Sequence, residues 1–166
     1  MAIVNRSARQ GVFVPRGAEP GLTRRFQWRD IDQDKAVRDI AATRFNFPGP
    51  DTPNFKTFTN RPDRQIGVRL PEGELAFPDI VTVDRDTAVK LLGEVETARS
   101  LRETPGAALA EKWTAFSGLG DFYLFVPLSQ LDVATRFIKQ YRVPVAGLRT
   151  WRYIAGQDLI DVTDIP

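Results

Sequence analysis

Two short stretches decide how this chain reads: Phe77-Pro78-Asp79-Ile80-Val81 and, further on, Gly93-Glu94-Val95-Glu96-Thr97. Each sits in a segment rich in Val, Ile and Leu, which is strand composition. Between them, Asp84-Arg85-Asp86-Thr87-Ala88 signals a tight hairpin turn. Pairing across that turn sets Asp84 opposite Val89 and Asp79 opposite Glu94. Because side chains alternate faces along a strand, Asp79, Glu94 and Glu96 then share one face. Three carboxylates so arranged repel one another unless a proton or a cation intervenes. A divalent cation is the simplest resolution.

Working outward, the periodicity predicts a helix opening after Asp32 or Asp34, with Val37, Ile40, Ala41 and Phe45 on its apolar face and Asn46 and Pro48 ending it. Residues 46–64 hold four prolines and read as a long loop, in which Phe55 and Phe58 alternate with Lys56 and Arg61. Such aromatics either stack on bases or close a core edge. Strands are expected over 65–70, 75–84 and 89–97. A helix then starts at Thr104 with Pro105 in its first turn, Leu109, Trp113 and Phe116 facing inward, and Gly118 at its end. Residues 121–127 form a near-continuous apolar run, as a buried central strand does. Ser129-Gln130-Leu131-Asp132 resembles a capping box opening a last helix. That helix puts Leu131, Ala134, Ile138 and Tyr141 on one face. A strand over 143–154 and a short one over 159–162 close the chain. Earlier, short strands are expected at 11–14 and 25–28. The order implies an α/β (α+β) domain with a mixed sheet and helices on both faces.

Composition narrows the chemistry. The 166 residues are 42% apolar and 27% charged, values of a soluble globular domain with a real core. No apolar run is long enough for a membrane span, so no membrane partner is expected. Arg6 and Arg9 interrupt the start, so no secretory leader is expected, and the lack of cysteine fits a reducing, cytoplasmic setting. The chain also has no histidine, which excludes Ser-His and Cys-His machinery and the usual zinc sites. A metal site here is built from oxygen, and that selects magnesium, manganese or calcium. Net charge is only +2, yet Arg6, Arg9, Arg16, Arg24 and Arg25 face a single Glu19 near the start. Residues 1–29 therefore read as a basic arm suited to an anionic partner, or as a solvated terminus, ahead of a domain over 30–166.

With these residues in view, the chain resembles the PD-(D/E)XK nucleases of restriction-endonuclease-like fold. Pro78-Asp79 matches the first half of that motif, Glu94-Val95-Glu96 the second, and the later helix and strand follow in the family's order. The resemblance implies a nuclease hydrolysing phosphodiester bonds, DNA in preference to RNA. Asp79 and Glu94 then bind Mg2+ (or Mn2+) with the backbone carbonyl of Val95, and Glu96 orients or deprotonates a metal-bound water. Asp39 is a weaker acidic candidate. Arg99, Arg102 and Lys112 are candidates for contact with nucleic acid.

Glu96 departs from the family's lysine, and either Lys90 or Lys112 is a candidate for the displaced positive charge. Two alternatives stand beside the enzyme: an inactive relative that binds nucleic acid, and an interaction module with no nucleic-acid role. The plainest account is that Asp79 is solvated and Glu94 and Glu96 pair with Lys90, Arg99 or Arg102. Trp151-Arg152-Tyr153 reads as an aromatic edge strand or as a nucleic-acid contact. Edge strands of such folds also pair between protomers, which is compatible with a homodimer.

Overall fold

A computed structural model of the chain describes residues 2–3, 12–13 and 28–166, and the side chains of residues 33–166. The protein is mixed α/β, and it divides into two compact units, Met1–Lys90 and Leu91–Pro166. Among the described residues no helix is long and apolar enough to cross a membrane. Most of the basic arm lies outside the described residues.

In the first unit, strands β1 (Ala2–Ile3), β2 (Val12–Phe13), β4 (Gly67–Arg69) and β5 (Leu75–Ala76) pair antiparallel in that order. A second antiparallel pair joins β3 (Lys56–Thr59) to β6 (Ile80–Val83), with Phe58 opposite Val81. Helix α1 (Trp28–Arg44) begins earlier than the Asp32 or Asp34 cap predicted, and it includes Trp28, which the sequence placed in a strand. Its expected stripe is sound: Val37, Ile40 and Ala41 are buried, together with Phe45 just beyond its end. Thr57 ties the end of this helix to β3 by donating from Oγ1 to the Phe45 carbonyl at 2.7 Å. Strand β3 itself is unexpected, since four prolines mask a short stretch that alternates aromatic and β-branched residues. The expected 75–84 strand is broken into β5 and β6, because Pro78 cannot donate to a ladder.

The turn after β6 differs from the expected register. The Asp84 amide donates to the Ala88 carbonyl at 3.0 Å, and the Thr87 amide returns to the Asp84 carbonyl at 3.1 Å. Asp84 is therefore paired with Ala88, not Val89. The extra residue is Thr87, which is left-handed at φ 62°, as in a three-residue turn that ends in a bulge. This one-residue offset removes the premise on which Asp79 was set opposite Glu94. A β-branched residue is poorly suited to that conformation, and glycine is the natural occupant. Thr87→Gly is expected to raise stability by about 0.5–1 kcal/mol, the steric relief being partly offset by the greater chain entropy of glycine. Urea titration checks it: the midpoint should rise with an unchanged slope.

The second unit is a four-stranded sheet in the order β7–β8–β9–β10. Strands β7 (Val89–Val95, which enters from the first unit), β8 (Asp121–Pro127) and β9 (Gly147–Tyr153) run parallel, and β10 (Ile160–Ile165) is antiparallel at the edge. The long apolar run is the central strand here, with Leu124, Phe125 and Val126 fully buried. Helix α3 (Gly106–Ser117) buries Leu109, Trp113 and Phe116 as predicted, and Gly118 caps it. Before it lies the unpredicted α2 (Ala98–Glu103), because Thr97 caps a helix where the sequence was read as continuing strand. Thr104 closes α2, and Pro105 rather than Thr104 is the N-cap of α3. Helix α4 (Leu131–Tyr141) follows a 3-10 turn, and its N-cap Gln130 makes no side-chain cap bond, so the expected capping box does not form.

Candidate active site

The chemistry of the second unit gathers at the end of β7. Alternation along the strand sends Leu92, Glu94 and Glu96 to one face, and α3 presents Lys112 and Trp113 to it. The Lys112 ammonium lies 2.8 Å from Glu94 Oε1 and 2.8 Å from Glu96 Oε1. Trp113 donates its indole N–H to the same Glu96 oxygen at 3.0 Å. The other Glu96 oxygen accepts from Ser100 Oγ at 2.5 Å. Ser100 is held there by a reciprocal cap, its amide donating to Thr97 Oγ1 and its hydroxyl accepting from the Thr97 amide. Three donors thus converge on one carboxylate that is only 2% exposed.

Such burial is tolerable only for a carboxylate this fully satisfied. Burial pushes the Glu96 carboxyl up, but the Lys112 charge and the hydrogen bonds from Lys112, Ser100 and Trp113 outweigh it. The group is held below its ordinary value. For Lys112, burial works downward, yet the charges of Glu94 and Glu96 prevail and hold the ammonium above its usual range. Both partners are therefore ionised at neutral pH.

The other site candidates fall as follows. Lys90, the rival source of positive charge, pairs with Asp84 at 3.0 Å beside the turn. Arg99 pairs with Glu103 at 2.7 Å, one turn along α2. Arg102 is exposed in the last turn of that helix. Asp39 pairs with Lys35 at 2.7 Å on α1.

Asp79 belongs to the first unit and is also buried. Arg61 Nε donates to its Oδ1 at 2.9 Å, and Arg61 Nη1 lies 3.5 Å from Asp34 Oδ1. The backbone at Pro78 and Asp79 is fixed by Asn60. Its amide nitrogen donates to the carbonyls of Pro78 (2.7 Å) and Ile66 (2.8 Å), and its oxygen accepts from the amides of Gln65 and Ile66, both at 2.9 Å. The Asn60 backbone amide adds a bond to the Asp79 carbonyl at 2.9 Å.

Sequence reasoning missed Ser100, Trp113, Arg61 and Asn60 as parts of these networks. Trp113 carried a signal, since a buried indole needs an acceptor for its N–H. Among the described residues no group of three or more carboxylates is placed to hold a metal ion together. At the end of β7 both Glu96 oxygens and Glu94 Oε1 already accept from Lys112, Trp113 and Ser100. In comparisons with known proteins, the chain matches no family model, no curated protein and no solved structure.

Proposed function

We propose that the chain is a divalent-metal-dependent nuclease of restriction-endonuclease-like fold that hydrolyses phosphodiester bonds in DNA. The observation that carries this reading is the position of Lys112, 2.8 Å from both Glu94 and Glu96. A lysine on α3 supplies the positive charge that the sequence motif lacks at position 96. Glu96 becomes the residue that positions this ammonium, and its own oxygens are occupied in doing so. Lys112, protonated at neutral pH, offsets negative charge that develops on a phosphate during hydrolysis. Glu94, the Val95 carbonyl and, from the sequence motif alone, Asp79 are the residues that would hold Mg2+ or Mn2+. The bound ion would lower the pKa of a water and withdraw charge from the phosphate. Arg99 and Arg102 remain candidates for phosphate contact on α2.

The test is cleavage of single-stranded, duplex, flapped and branched DNA and of RNA, with magnesium or manganese at low salt. Metal-dependent cleavage by the native chain is expected, and Asp79→Ala should abolish it. Equal cleavage by that variant would refute the role of Asp79. The saturation of Glu96 favours a second reading, a relative that keeps the fold for binding alone. Salt-sensitive nucleic-acid binding without cleavage under either metal would select it.

A further inference from the structure

Within the first unit, loop 47–55, strand β3 and the turn after β6 line a cavity of about 710 Å3, a size typical of small-ligand sites. Three rings form its wall. Phe47 and Phe55 meet edge to face with centroids 5.4 Å apart, and Phe58 lies on β3. All three are half-buried, so each keeps open surface. Two exposed cations stand beside them. The Lys56 ammonium lies 4.9 Å from the centre of the Phe58 ring, and Arg85 Nη2 donates to Asn54 Oδ1 at 2.8 Å. Neither cation is neutralised: among the described residues neither Lys56 nor Arg85 forms an ion pair. The one carboxylate in the lining, Asp84, is committed to Lys90 and to the amides of Asp86 and Ala88.

Half-buried aromatic rings next to cations that form no ion pair among the described residues match an aromatic ligand that carries an anion. An uncharged apolar molecule would leave both cations unused, and a duplex keeps its base faces stacked. We propose that this cavity receives one unstacked nucleotide of a single-stranded nucleic acid. Its base lies against Phe55 and Phe58, and its phosphate meets the charges of Lys56 and Arg85. The inference rests on the nuclease reading only for the class of polymer. Its test requires no metal and no cleavage.

Fluorescence anisotropy on the full chain in EDTA measures it, with a labelled 15-mer of thymidylate, an abasic strand of equal length and charge, and a 15-base-pair duplex. The thymidylate strand should bind at least about tenfold more tightly than the abasic strand, as one stacked base allows. Phe55→Leu combined with Phe58→Leu should erase that preference. Lys56→Ala with Arg85→Ala should weaken both strands and flatten the salt dependence by roughly one unit of slope. Photocrosslinking of 4-thiothymidine strands to the native chain should land within residues 47–87, a readout that needs no variant to fold. Equal affinity for the abasic strand, absence of binding, or crosslinks wholly outside that range would overturn the proposal. Metal-dependent cleavage without base preference would remove the nucleotide site and leave the nuclease. Base-dependent binding without cleavage would do the reverse.

Discussion

Lys112→Met should melt well below the native chain at neutral pH and should lower the proposed cleavage activity by at least about 100-fold. Methionine fills the space of the lysine stem but leaves Glu96 buried beside Glu94 without its counter-charge. Breaking one partner of a fully buried pair costs about 3–5 kcal/mol. Lys112 retains 35% side-chain exposure, so about 2–3 kcal/mol is expected here. The pH dependence follows from the direction of the shifts. In the native chain the Glu96 carboxyl is depressed, so its stabilising contribution is present above the unfolded-state value of about 4.3. It is lost as the pH falls through the folded-state value. In the variant the depressing charge is gone and burial raises that carboxyl, so protonation at acid pH relieves the strain. The gap between the two melting temperatures should therefore be widest near neutrality and narrow as the pH falls toward and through the depressed Glu96 value. The raised Lys112 adds an alkaline limb, with stability full below about 10.4 and lost as the pH rises through the folded-state value. Melting curves at pH 7 and pH 4 decide the matter. A gap that persisted unchanged in acid would show that the loss was one of packing.

The second large effect is expected at Asn60. Its side chain uses both donors and both acceptor sites, and the residue is 6% exposed. Asn60→Ala deletes four hydrogen bonds and strands two amides and two carbonyls, each group carrying a desolvation penalty of about 1–3 kcal/mol if it stays dry. Partial rehydration reduces the sum, and a loss of about 3–5 kcal/mol is expected by denaturant titration. Hydrogen exchange locates the damage: the Gln65 and Ile66 amides should lose protection first. Because Asn60 holds the Pro78 and Asp79 backbone, the proposed cleavage should fall as well. A loss below about 1 kcal/mol with unchanged exchange would mean that the loop reorganises around the vacancy.

Much of the second unit was legible because its elements obey simple periods. Strand β8 is an apolar run, and α3 repeats its large residues at helical spacing, so both follow from pattern alone. Strand β3 was hidden because a few strand residues cannot outvote four prolines in a local reading. Helix α2 was hidden for a related reason: Thr97 is equally at home in a strand or at a cap, and only the reciprocal bond with Ser100 decides it. The turn register depended on Thr87 adopting a conformation that threonine disfavours, which no propensity would select. At the site, the shared face of Glu94 and Glu96 came from alternation along one strand. The choice of Lys112 over Lys90 did not, since it depends on how α3 is rotated against the sheet, a matter of packing.

The arrangement around Glu96 also makes the protein its own reporter. Of the three tryptophans, Trp113 donates to the Glu96 side chain and Trp151 donates its indole N–H to the Glu96 carbonyl at 3.3 Å. Indole emission responds to nearby charge and to solvent, so two intrinsic fluorophores flank a single residue. Titration of this residue with acid can be followed by ultraviolet emission, with no label attached.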